Sequence, residues 1–221
     1  MSTAYHPAFG AAVNYTLTRL PDNPDRQVAA TVAQIVAYIK EDAQHPRIQE
    51  IARSCYRLGG GDPVLGVWKH VKQIRFEQDW DTAQALAVDD PRKPNVIEVL
   101  IRPIDQAGQI DRGNAIGDCD CFQLYGLCLL TALGIPAALV TVAADSDRPK
   151  EYSHVYGAAY PNGQRLPLDF SHGPHPGWEC NHLGKIREWP IDEGPSLLFG
   201  GAAILAIAAA SYWCFTTWSA A

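Results

Sequence analysis

The chain has 221 residues, 47% of them apolar and 19% charged, which excludes a disordered chain and suits one globular domain with room for an appendage. A formal net charge of −6 offers no basic footprint, so no nucleic-acid partner is expected. The first residues show no charged segment leading into an apolar one. No signal peptide is therefore expected, and the six cysteines read as free thiols in a reducing, cytoplasmic setting.

Residues 1–24 mix Gly, Pro and Asn with Tyr5, Phe9, Tyr15 and Leu20 and read as an irregular, partly packed N-terminal arm. From Asp25 the apolar residues Val28, Val32, Ile35, Val36 and Ile39 fall on one face of a 3.6-residue period, which predicts a helix. A second helix is expected over 46–56, opened by Pro46. After the break GGGDP at 59–63, Val64, Val67, Trp68, Val71 and Ile74 keep helical spacing. A third helix over about 63–79 follows, capped by Asp62. Residues 80–118 show no clear period apart from the apolar run Val96–Ile101.

Cys119 to Leu133 is apolar on nearly every side, the mark of a buried helix. Gly134 ends it and Pro136 prevents its resumption. Three strand-like runs come next, Ala137–Ala143, His154–Tyr160 and Arg165–Phe170, with Asn162-Gly163 as a hairpin signal between the last two. The fold class is therefore α+β: a buried central helix packed on a small antiparallel sheet and preceded by helices. The domain is expected over 25–189, bounded by Pro190 and Pro195.

Three polar residues stand at the edges of these apolar elements: Cys119 at the head of the buried helix, His154 opening a strand, and Asp169 in the next strand. A thiol at a helix N-terminus meets unpaired N–H groups and the positive end of the macrodipole, which favours thiolate. An imidazole can move its proton, and a carboxylate can fix the imidazole tautomer. A two-residue turn at Asn162-Gly163 pairs residue i with residue 325 − i, which sets Asp169 diagonal to His154 on one face. Asp118 and Asp120 oppose the helix terminus by raising the thiol pKa. They are expected to point away from the sulfur, one of them capping the helix.

The residues GDCDC, the turn LGIPAALVTV, then SHVY and LPLDFS, are similar to the core of the transglutaminase-like superfamily, over roughly 112–179. With HPGWE after the Asp strand, the wording resembles the small members found in bacteria, phages and prophages. The resemblance implies a papain-like fold with Cys119 as nucleophile, His154 as base and Asp169 as third member. It implies acyl transfer on amide bonds through a thioester, with a peptide or protein as substrate. Hydrolysis, as in a peptidase or amidase, is preferred over crosslinking by analogy alone. The alternative is a non-catalytic structural or binding protein, associated with a phage or a membrane. Where relatives carry a second Asp, this chain has Cys121, which reads equally as a bystander or a redox neighbour. The oxyanion hole is expected to use the Cys119 N–H, with Trp80 and Asn114 as candidates for a side-chain donor.

Cys128, nine residues along the helix, reads as packing. Cys119, Cys121, His172, His175, Cys180 and His182 have side chains that zinc accepts, but their spacings match no common ligand pattern. No metal and no organic cofactor are expected. Finally, Ser196–Trp218 runs 23 residues without a charge, long enough to cross a hydrocarbon core, and is a candidate transmembrane helix. Lys185 and Arg187 on its near side place the catalytic domain in the cytoplasm, with membrane association through the C-terminus.

Overall fold

The computed structural model describes residues 2–6, 11–19, 23–79, 81 and 97–191. Helix α1 (Pro24–Asp42) starts where Asn23 accepts the Arg26 N–H, and its stripe Val32, Ile35, Val36 and Ile39 is buried. Helix α2 (Pro46–Leu58) also opens on a proline and buries Ile48, Ile51, Ala52 and Cys55. Helix α3 (Pro63–Val71) is capped by Asp62, whose Oδ1 takes the N–H groups of Val64 and Leu65. These three starts follow the cap and proline chemistry legible in the sequence.

The third helix stops eight residues short of the expected end. After Val71 the chain turns into strand β3 (Arg75–Phe76), which pairs in parallel with β5 (Ile116–Gly117). Pairing with a segment forty residues away outweighs the local helical period there.

The irregular arm is replaced by a hairpin. Strands β1 (Ser2–His6) and β2 (Ala11–Arg19) pair antiparallel, and β2 continues onto β4 (Ile97–Ile101). Within the stretch read as aperiodic lies helix α4 (Pro103–Arg112), ended by Gly113 in the left-handed conformation. Its hidden face carries Gln106 and Gln109, both wholly buried. A polar buried face produces no apolar period, so only Pro103 and Gly113 signalled the helix.

Helix α5 (Cys119–Ala132) lies at the centre, packed on α1, α2, α3 and the second sheet. Strands β6 (Ala137–Val142), β7 (His154–Ala159), β8 (Leu166–Leu168) and β9 (Ile186–Pro190) form that sheet, antiparallel, in the order β8-β7-β6-β9. The α+β architecture and the central helix match the sequence reading, whereas β9 was not foreseen. The hairpin register also matches: Gly157 faces Leu168 and Ala159 faces Leu166. Asn162 and Gly163 take φ of 55° and 76°, both left-handed, as a tight hairpin turn requires.

One close approach links the core to the end of β8. A Cβ on Gly126 of α5 would stand 2.4 Å from the Phe170 ring, and that ring also packs on Trp68 with centroids 5.5 Å apart. Gly126→Ala is therefore expected to lower the unfolding free energy by roughly 1–3 kcal/mol through overpacking. Urea denaturation measures this, and an unchanged midpoint would show that the ring yields freely.

Among the described residues no helix is long and apolar enough to cross a membrane. The candidate transmembrane segment 196–218 lies outside the described residues.

Candidate active site

Cys119 is the first residue of α5, where Asp118 accepts the Cys121 N–H at 3.4 Å as helix cap. The capping role expected for one of the two flanking acids falls to Asp118. Its partner Asp120 is buried. Cys119 lines a cleft of about 220 Å³ together with Gln27, Thr31, Glu98 and His154. The backbone N–H of Val155, the residue after His154, favours the charged form of the Cys119 sulfur.

The expected bias toward thiolate is reversed. Burial pushes the Cys119 thiol well above its ordinary range, and the negative charges of Asp118, Glu98 and Asp79 push the same way. The Val155 N–H and the helix terminus act against this but do not outweigh it. In the free protein Cys119 is a neutral thiol.

His154 opens β7, and its Nε2 stands 2.7 Å from Oδ2 of Asp169. Asp169 lies just past β8, in a turn and not within the strand as expected, and its side chain is fully buried. Its Oδ1 accepts the Ser171 hydroxyl and the His172 N–H, each at 2.9 Å. Burial by itself would raise this carboxyl, but the His154 hydrogen bond and charge, the His172 N–H and the Ser171 hydroxyl hold it below its usual range. With Nε2 turned to Asp169, Nδ1 is the ring nitrogen left for a proton from the cleft.

Two further residues shape this pair. The exposed His172 sets its ring edge-on to His154, with centroids 4.9 Å apart, and Phe76 packs against His172 at 5.3 Å. Lys72 donates to the carbonyls of Phe170 and Gly173 at 2.8 and 2.9 Å and so anchors the turn that carries Asp169. Neither was singled out for this role from the sequence, because Lys72 acts across about a hundred positions and His172 meets His154 only once the strands pair.

Beside Cys119 lies an unforeseen acid quartet. Asp79, Glu98, Asp118 and Asp120 bring one carboxylate oxygen each within 4.8 Å of the others. Thr31 donates to Glu98 at 2.9 Å and the Val99 N–H donates to Asp79 at 3.0 Å. Burial, then the charges of Asp118 and Glu98, push Asp79 up to about 10. Glu98 and Asp120 are raised as well, chiefly by burial. Several like charges cannot crowd into an apolar site, so Asp79, Glu98 and Asp120 hold their protons more tightly than ordinary carboxyls.

Other expectations resolve individually. Cys121 is a bystander: it packs with Ile101 and Ile116, and its thiol donates to the Val99 carbonyl at 3.3 Å. Cys128 is buried in the core, as expected. Asn114 does not line the cleft, and Trp80 lies outside the described residues. Gln27 of α1 does line it. Its signal was a polar residue interrupting an apolar helical stripe, at 27 and again at Thr31. The zinc-capable residues of 172–182 are not gathered as a set; Cys180 instead joins His154 and Asp169, with ligand atoms within 4.8 Å.

No protein-family model matches the chain, and no curated protein matches it. Among solved structures, that of a candidate cysteine protease from Cytophaga hutchinsonii is similar, at 16% identity and a TM-score of 0.37. The likeness covers 72% of this chain and 49% of that one, so this chain spans about half the length of that protein.

Proposed function

We propose that the protein is a cysteine-dependent acyltransferase acting on amide bonds of a peptide or protein, with hydrolysis the preferred outcome. The observation that carries this reading is the buried His154–Asp169 pair at the rim of a cleft that also holds a helix-heading thiol.

The chemistry runs as general-base catalysis, because the thiol is neutral before substrate arrives. The Cys119 sulfur attacks the carbonyl carbon while its proton passes to Nδ1 of His154. Asp169 accepts the Nε2–H throughout, which fixes the ring tautomer and stabilises the imidazolium. The oxyanion is held by the Cys119 N–H at the head of α5, with the Gln27 amide as a second donor from the facing wall. Collapse breaks the C–N bond, His154 returns the proton to the leaving amine, and a thioester remains on Cys119. Water activated by His154 then releases the acid. The triad itself requires no metal or organic cofactor.

Alkylation tests the thiol directly. The Cys119 reaction with iodoacetamide, followed by peptide mass spectrometry, is expected to be slow at pH 7 and to climb above about pH 9, beyond the ordinary thiol range. Asp118→Asn is expected to shift that climb downward. Incubation with p-nitrophenyl acetate is expected to leave one acetyl group on Cys119. Acetylation spread evenly over the cysteines would instead make this a non-catalytic relative of the fold. Incorporation of a fluorescent primary amine in place of water would assign crosslinking over hydrolysis.

A further inference from the structure

Cys180 is a thiol that the proposed mechanism does not use, yet it lies beside the mechanism's base. We propose that Cys180, His154 and Asp169 form a binding site for a single zinc-type divalent cation, whose occupancy excludes His154 from proton transfer.

The geometry supplies three ligand atoms of the right kinds, a sulfur, an imidazole nitrogen and a carboxylate oxygen, all within 4.8 Å of one another. Zinc takes this set readily and keeps a fourth position for water. Cys180 packs against Val140, Val142, Tyr156 and Ala158 on the sheet face that carries His154. Its position is fixed by the residue before it, since Glu179 accepts from the Tyr156 hydroxyl and, at 2.7 Å, from Arg165. Asp169 is equally fixed by Ser171 and His172 through its other oxygen, which leaves Oδ2 for the metal. Both anchors are the outer hydrogen bonds that well-held ligands need.

Charge and protons also balance. One carboxylate, one thiolate and a neutral imidazole offset the two positive charges of the cation, so the occupied site is neutral where burial is costly. The cation replaces the proton between Nε2 and Oδ2. Those atoms stand 2.7 Å apart and would open to about 3.3 Å around a tetrahedral ion with bonds of ~2.0–2.1 Å. The imidazole proton moves to Nδ1, and the Cys180 thiol, which is protonated at neutral pH, releases one proton to solvent. With Nδ1 protonated and Nε2 on the metal, the ring has no lone pair for the Cys119 proton. This site uses His154 and Asp169 whatever the fate of the acyl-transfer reading, because its primary readout is binding.

The test is titration of the full chain with ZnCl2 by calorimetry in two buffers of different ionisation enthalpy, and with CoCl2 by absorption. One cation per chain, release of one proton, and a thiolate-to-cobalt charge-transfer band with tetrahedral ligand-field bands are expected. Cys180→Ser is expected to weaken Zn2+ binding ~100-fold or more and to remove the charge-transfer band. Cys119→Ser is expected to leave both unchanged. Absence of binding in the natural chain overturns the proposal, as does a site that survives Cys180→Ser or disappears with Cys119→Ser. His154→Gln separates ligation from folding: with its circular dichroism unchanged it is expected to lose the metal, and retention overturns the assignment.

Discussion

Asp169→Asn is expected to slow acetylation of Cys119 by p-nitrophenyl acetate by roughly 10²–10⁴-fold, with little change in saturation by the ester. The reason is a count of donors. Asp169 accepts from His154 Nε2, from the Ser171 hydroxyl and from the His172 N–H. An amide has one oxygen and one NH2, so whichever way it turns, an N–H faces another donor in a buried site. If the NH2 faces His154, the imidazole must present a lone pair at Nε2 and carry its proton on Nδ1, the wrong tautomer for a base. If it faces His172, the turn that seats residue 169 loses its bond. His154→Ala is expected to reach the same floor, and the pair together no lower, since residues that act as a unit are not additive. Acetylation that proceeds at the natural rate in Asp169→Asn would remove the triad assignment. Unchanged unfolding in urea would show that the loss is chemical and not structural.

The acid quartet leads to an expected result of comparable size on stability. Asp79, Glu98 and Asp120 all have folded-state pKa values raised above those of the unfolded chain, Asp79 to about 10. Above ~pH 4 the unfolded chain loses these protons, whereas the folded protein releases them later, Asp79 not until about pH 10. The folded state thus binds more protons, and stability falls as pH rises through that window, at about 1.4 kcal/mol per pH unit for each retained proton. His70 and His172, lowered by burial, give the opposite slope below about pH 7, and the buried thiols add the same downward slope above about pH 8.5. Between those limits the carboxyls and the onset of thiol ionisation act in the same direction, so the difference made by Asp79→Asn isolates the carboxyl. Urea midpoints measured from pH 7 to 8.5 are expected to fall, and Asp79→Asn, which mimics the protonated acid and still accepts from Val99, is expected to flatten the slope by one proton. A slope that Asp79→Asn leaves unchanged across that interval would mean that Asp79 is already ionised.

The two results meet at Cys119. The burial that raises the quartet's carboxyls also raises the Cys119 thiol, so one desolvated site governs fold and nucleophile. Helix position alone does not set a thiol's charge. The macrodipole contributes about half a charge at the terminus, whereas desolvation and the Asp118 charge oppose it at similar range.

Much of this could be read from the residues in order. Pro46, Asp62 with Pro63, the apolar stripes of α1 and α3, the unbroken apolar helix from Cys119 and the Asn162-Gly163 turn are local features. Each is fixed by chemistry within a few positions, and together they gave the α+β layout and the pairing of β7 with β8 that brings His154 to Asp169. What the chain order did not show was everything that depends on partners far away or on polar burial. Strands β1 and β2 needed β4 to pair with, and α4 hid behind Gln106 and Gln109 because glutamines carry no apolar period. The acid quartet draws on positions 79, 98, 118 and 120, and Cys180 reaches His154 only after a loop folds back over the sheet. Short-range sterics and apolar periodicity are written in sequence. Proton affinity, ligand sets and the state of a thiol are sums over neighbours in space, and only the folded arrangement of this chain decided them.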